Sequence, residues 1–160
     1  MTTRTTSASL ASQVTGHERF MKQNWPFYWV SRINARYVEV LESRLKLIGL
    51  DMPRWRVLVS LHESDHLSVS EIAEFGVMKL NTATKVIQRM IADDLVETRT
   101  RPTDGRVTEV RLTERGRDKC ASAMAEAEQI LAASFVGITP AELATLNAHL
   151  EKVLTRLNGI

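Results

Sequence analysis

The sequence predicts a mainly α-helical chain interrupted by one small β-hairpin. Three observations carry that reading. Apolar residues recur at steps of three and four through most of the 160 residues, the spacing of one helical face. The period changes to two over Val96–Arg101 and Val107–Leu112, which flank Pro102-Thr103-Asp104-Gly105, a strong turn signal. Helix-start signatures of the form S/T-x-x-E stand at Ser68–Glu71 and Thr139–Glu142.

In chain order, residues 1–24 read as a flexible arm, rich in Thr and Ser and poor in apolar residues. A long amphipathic helix is expected from Pro26 to Ile48, with Phe27, Val30, Ile33, Tyr37, Leu41 and Leu45 on one face and Gly49 at its C-terminal end. A second helix should run from Pro53 to Glu63. Ser68–Phe75 reads as a short helix opened by its capping box. After Gly76, a further helix is expected over Asn81–Asp93. Its apolar face is Ala83, Val86, Ile87, Met90 and Ile91. Its other face carries Asn81, Thr82, Thr84, Lys85, Gln88 and Arg89. The hairpin follows, then a helix capped by Thr113 that extends to about Phe135. In the last helix Leu143, Leu146, Leu150, Val153 and Leu157 form a two-heptad seam. Core packing within one chain would produce such a seam. Long helices at both ends around a small middle favour an interchain one.

Composition narrows the function classes. No apolar run approaches the ~20 residues needed to cross a bilayer. The polar N-terminus lacks the apolar centre of a signal peptide, so a cytoplasmic location without membrane association is expected. The single cysteine, Cys120, rules out an intrachain disulfide. The net charge of +2 announces nothing by itself. From Lys79 to Arg117, however, nine Lys/Arg stand against six Asp/Glu, whereas from Asp118 to Ile160 three stand against five. A basic middle beside an acidic tail fits either a nucleic-acid face or ordinary solvated surface.

The element order helix, helix, short helix, longer helix, basic hairpin is that of a winged helix-turn-helix. Its expected lobe is 51–112, with 25–50 and 113–160 forming a helical dimerisation region. Asn, Thr, Lys and Gln at the N-terminal end of a recognition helix supply donors and acceptors suited to base edges. Arg99, Arg101, Arg106 and Arg111 all lie on the hairpin, and a narrow hairpin tip bearing Arg suits a minor groove. Ser68, Ser70, Lys79, Asn81, Thr82, Thr84, Lys85, Gln88, Arg101, Thr103, Asp104 and Arg106 are therefore the candidate DNA contacts.

The run Asp104-Gly105-Arg106-Val107-Thr108-Glu109-Val110-Arg111-Leu112-Thr113-Glu114-Arg115-Gly116 resembles the wing signature D-x-R-x-x-x-V-x-L-T-x-x-G of the MarR (multiple antibiotic resistance regulator) family. Thr82-Ala83-Thr84-Lys85 through Arg89-Met90 is similar to that family's recognition helix. The resemblance implies a homodimeric transcriptional regulator, usually a repressor. It would sit on a palindromic operator in double-stranded DNA until a small aromatic or anionic effector released it. Carried onto this chain, Arg106 would enter the minor groove with Asp104 orienting it, and Thr82, Thr84 and Lys85 would face the major groove. Two positions depart from the family pattern: Gly105 stands where a second wing Arg is usual, and Asp94 where Gly usually ends the recognition helix. No cofactor or structural metal is implied.

Three other constellations compete for attention. His62-Glu63-Ser64-Asp65-His66 spells H-E-x-x-H, which would make a metal-dependent hydrolase if both histidines shared one helical turn. The motif falls where the second helix should stop. Cys120 lies among Arg117 and Lys119, yet single helix cysteines are usually buried and inert. Trp25, Tyr28, Trp29 and Trp55, with Arg32 and Arg36, offer aromatic walls and guanidinium forks for an aromatic carboxylate. The same residues could instead be dimer-interface core. A DNA-binding protein that senses no ligand is the remaining alternative.

Overall fold

The computed structural model describes residues 21–160. Most of the arm expected at 1–24 lies outside them. Within them, Lys22–Asn24 form a single 3₁₀ turn leading into the first helix. The elements are α1 (Pro26–Leu47), α2 (Met52–Glu63), β1 (Leu67–Ser68), α3 (Val69–Phe75), α4 (Leu80–Ala92), β2 (Val96–Arg101), β3 (Asp104–Leu112), α5 (Glu114–Ser134) and α6 (Pro140–Leu157).

Local chemistry sets the helix ends. Asp51 caps α2 by accepting from Arg54 N–H at 2.9 Å. Reciprocal capping boxes open α3 (Ser68 with Glu71) and α6 (Thr139 with Glu142). At the end of α4, Leu95 N–H reaches Met90 O and Asp94 N–H reaches Ile91 O, a Schellman closure. Asp94 takes the left-handed conformation there, φ +57°. The departure from glycine at this position leaves the helix end intact.

The hairpin is tighter than expected and is not alone. Arg101 pairs with Asp104, so the turn is only Pro102-Thr103 and β3 begins at Asp104. Leu67–Ser68, which sequence reasoning does not find, pairs with Val110 and Glu109, giving a three-stranded antiparallel sheet of order β1-β3-β2. Two residues are too few to show a period, which is why β1 leaves no signal.

One continuous core joins α1 to α5 and the sheet. It contains Leu41 and Leu45 of α1, Leu58 and Leu61 of α2, Ile72 of α3, Ile87 and Met90 of α4, Val96 and Val110 of the strands, and Cys120 and Ala123 of α5. The seam between sheet and α5 depends on Gly116, where a Cβ would lie 1.9 Å from Leu95 O. Thr113 braces the same junction. Its Oγ1 donates to Asp94 O at 2.7 Å and accepts from Gly116 N–H at 2.9 Å. The L-T-x-x-G string is thus the hinge pin between wing and α5.

The ends of the chain behave differently. The α1 face is split. Leu41 and Leu45 are fully buried, while Phe27, Val30, Ile33 and Tyr37 nearer its start are exposed. Helix α6 buries none of its residues, and Leu146, Leu150, Val153 and Leu157 are each 42–48% exposed.

Candidate DNA interface

Helices α3 and α4 form the helix-turn-helix. Its turn places Gly76 at an ordinary φ of −75° and gives the left-handed position to Val77, φ +50°. Space explains the choice of glycine. A Cβ at position 76 would meet Met78 Cε at 2.7 Å and Ile72 O at 3.0 Å. The exposed, β-branched Val77 therefore carries backbone strain in the turn.

Helix α4 buries Ala83, Val86, Ile87 and Met90 and turns its polar face outward. Lys79 (the N-cap), Asn81, Thr82, Lys85 and Gln88 are exposed. Thr84 is half-buried and donates to Leu80 O at 2.9 Å. Lys79 makes no side-chain capping bond, and Thr82 N–H closes the first turn of α4 on Lys79 O at 2.9 Å. Ser70 is exposed on α3. The Ser68 hydroxyl is committed to the capping box.

The wing separates its arginines into two groups. Arg99 Nε donates to Glu109 at 2.9 Å, and Arg111 pairs with Glu97 at 2.6 Å. Arg101 donates from Nε to Glu109 at 2.7 Å and from Nη2 to Glu71 of α3 at 2.9 Å. Glu109, the strand partner of Arg99, is 6% exposed. Its carboxyl is held below the usual carboxylate range, first by the hydrogen bond from Arg101 and then by that from Arg99. Glu71 is lowered too, chiefly by its capping bonds with Ser68 and further by Arg101. Arg101 therefore ties the wing to the helix-turn-helix.

Arg106 is different. Between Thr100 and Arg101 the register jumps, since their partners on β3 are Thr108 and Asp104. Gly105, Arg106 and Val107 thus bulge out of the ladder beside the turn. Asp104 Oδ1 accepts from Arg106 N–H at 3.0 Å and fixes the backbone of the bulge. Among the described residues, the Arg106 guanidinium makes no hydrogen bond or ion pair. Thr103 lies in the turn beside it. Nothing lies within 4 Å of a Cβ at Gly105, so that position has room for a larger residue.

The aromatic candidates do not all assemble. Tyr28 and Trp29 meet edge-to-face at 5.1 Å, and Trp25 and Phe27 lie 6.2 Å apart. Arg32 sits over the Tyr28 ring at 5.6 Å. Trp29 Nε1 donates to Gln23 O at 2.9 Å. Arg36, one turn on, pairs with Glu39 at 2.7 Å on the exposed surface. Trp55 belongs elsewhere. It is 6% exposed in the core with Leu41 and Leu45.

The hydrolase geometry fails. Helix α2 ends at Glu63 with Ser64 extended, so His66 lies beyond the helix and cannot share a turn with His62. Among the described residues no three His, Cys, Asp or Glu side chains are grouped to hold a metal ion. The Cys120 thiol is 1% exposed, donates weakly to Leu58 O at 3.6 Å, and is pushed up by burial, the opposite of an activated thiolate. Lys119 points instead to Ile48 O at 2.7 Å.

A winged helix-turn-helix with a basic tip, flanked by long helices, defines the class of HTH-type transcriptional regulators. The comparisons with known proteins agree. A profile of the MarR family matches residues 50–108. The chain is 42% identical over 143 residues to the HTH-type transcriptional repressor IacR of Pseudomonas putida, an alignment covering 89% of this chain and 86% of that one. The crystal structure of a MarR-family transcriptional regulator from Silicibacter pomeroyi superposes with a TM-score of 0.79 at 26% identity, covering 85% of this chain and 92% of the other. BpsR of Bordetella bronchiseptica, whose structure concerns regulation of DNA binding by 6-hydroxynicotinic acid, matches at TM-score 0.68 and 26% identity over 79% of this chain and 96% of its own. The chain belongs to the MarR family of transcriptional regulators. None of its described helices is long and apolar enough to cross a membrane.

Proposed function

We propose that this chain is a homodimeric repressor that binds a palindromic operator and is released from it by a small aromatic carboxylate. The observation that carries the DNA half is the Arg106 guanidinium, unpaired at the wing tip while Arg99, Arg101 and Arg111 are all tied to carboxylates. The exposed Lys79, Asn81, Thr82, Lys85 and Gln88 of α4 add a polar face to it. In this reading α4 enters the major groove with Thr82, Thr84 and Lys85 toward the bases, and Arg106 enters the adjacent minor groove. Ser68, Ser70 and Thr103 border the backbone, and Arg101 braces the wing that presents Arg106. Two copies joined through α1 and α6 would place their recognition helices about 34–36 Å apart, one turn of DNA.

Support for the effector half is the cluster of Trp25, Tyr28, Trp29 and Arg32 at the start of α1, next to the face left for a partner. A flat anionic ligand would stack on Trp29 and pair with Arg32. The ligand named for BpsR is itself an aromatic acid.

The test is selection of bound duplexes from a random pool, followed by release of the selected operator with a panel of aromatic carboxylates. Recovery of a two-fold symmetric site released by at least one acid supports the proposal. A symmetric site that no acid releases favours the non-sensing alternative. Binding without sequence preference overturns the repressor reading.

A further inference from the structure

Two apolar residues stand at the entry to the recognition helix, and neither belongs to the core. Val77, in the turn, is 83% exposed, and Leu80, the first residue of α4, is 51% exposed. Val77 also holds a left-handed backbone, φ +50°. Its carbonyl accepts from Arg56 Nη1 of α2 at 3.3 Å, which anchors the turn in that conformation. Lack of space dictates the glycine at 76. Nothing within the chain dictates the valine at 77, because its side chain adds strain and gains almost no burial. Strain kept without a packing role is a mark of sites that meet a ligand. Leu80 begins the same row as Thr84, whose Oγ1 donates to Leu80 O at 2.9 Å, and it directly precedes Asn81.

The surroundings select the occupant. Between Glu74 and Asp93 the chain has no acidic residue and three cations, Lys79, Lys85 and Arg89. A cationic surround rich in polar donors fits a polyanion rather than an apolar protein face. Residues at the start of a recognition helix are the ones that reach base edges. The apolar group on a base edge in the major groove is the 5-methyl of thymine.

We infer that Val77 and Leu80 read thymine, packing against 5-methyl groups in each operator half-site while the polar residues of α4 supply the hydrogen bonds. This rests on the proposed placement of α4 in the major groove and adds two apolar readers to it. The strained turn then serves sequence selection at the expense of stability.

The test uses full-length protein and the duplex recovered by selection from a random pool. That duplex is remade with single thymines replaced by deoxyuridine, which removes the methyl and keeps every hydrogen-bonding group. At one or more positions in each half-site the replacement should weaken wild-type binding about fourfold, the worth of one buried methyl group. Val77→Gly and Leu80→Ala should each bind the thymine duplex more weakly and lose that ratio at one such position. Val77→Gly also relieves the strain, so it covers the case in which Leu80→Ala disturbs folding. Val136→Ala, which trims an 82% exposed apolar residue between α5 and α6, should keep the wild-type ratio. A wild type that selects no sequence overturns both this inference and the major-groove placement. A wild type that selects an operator, yet tolerates uracil at every thymine, overturns this inference alone. So does a wild-type ratio at every position in folded Val77→Gly and Leu80→Ala, as expected if the two residues meet a protein instead, or an equal loss of the ratio in Val136→Ala.

Discussion

Helices α4 and α6 are both amphipathic, and they spend their apolar faces in opposite ways. The α4 face, Ala83, Val86, Ile87 and Met90, is buried against its own chain, with Met90 fully so. The α6 face, Leu146, Leu150, Val153 and Leu157, is left more than two-fifths exposed. The same periodicity therefore builds a core in one place and an unpartnered surface in the other. A monomeric protein seldom exposes a contiguous apolar face of this kind. The lobe carrying α4 buries its face within one chain, and in the proposed dimer the faces of α1 and α6 are covered by a second.

This contrast can be broken experimentally, and the largest effect should fall on the lobe. Met90→Ala should destabilise the fold by roughly 2–5 kcal/mol, since it opens a cavity in a packed core. Denaturant unfolding would show it at every protein concentration. Gly116→Ala should follow at about 3 kcal/mol, as a Cβ there collides with Leu95 O, which is backbone and cannot step aside. Leu150→Asp should leave the lobe's secondary structure intact and yield monomers in sedimentation at concentrations where the wild type is dimeric. A stable dimer in that variant would contradict the assignment of α6 to the interface.

Smaller effects sharpen the picture of the lobe itself. Val77→Gly should stabilise the protein by about 1 kcal/mol, because a β-branched residue at φ +50° gives way to one that adopts it freely. The gain would be read as a rise in the denaturant midpoint. The Glu109 ties should add a pH dependence. Its carboxyl is lowered in the fold, so its contribution is fully present above the ordinary carboxylate pKa. It is lost as pH falls through the lower folded value. Unfolding titrations from pH 6 to pH 3 should therefore slope less in Glu109→Gln than in the wild type. Equal slopes would mean that the arginines do not depend on that charge.

Much of the fold is legible because it is written in local signals. The capping boxes, the change of period at Val96 and the L-T-x-x-G string each act over a few residues. Helix ends agree within a residue or two for the same reason. What is not legible depends on pairing across the chain. Strand β1 has two residues and exists only through β3. The turn at Pro102-Thr103 follows from the register of Arg101 with Asp104, which no local rule fixes. The division of the wing arginines is hidden likewise. Opposite charges at 97, 99, 109 and 111 suggest cross-strand pairs only once a register is assumed. The tie from Arg101 to Glu71 spans thirty residues and requires the fold. Trp55 illustrates the limit of compositional grouping. Residue type puts it with the other tryptophans, and packing puts it in the core.

The proposed DNA binding turns on the Arg106 guanidinium, the one among the four wing arginines without a carboxylate among the described residues. The most direct test measures affinity for a selected operator duplex across a salt titration, comparing wild type with Arg106→Ala. Binding should weaken at every salt concentration, and the log–log slope should become shallower by about one for each guanidinium withdrawn from the minor groove. Wild-type affinity and slope in a correctly folded Arg106→Ala dimer would contradict the assignment of Arg106 to the groove.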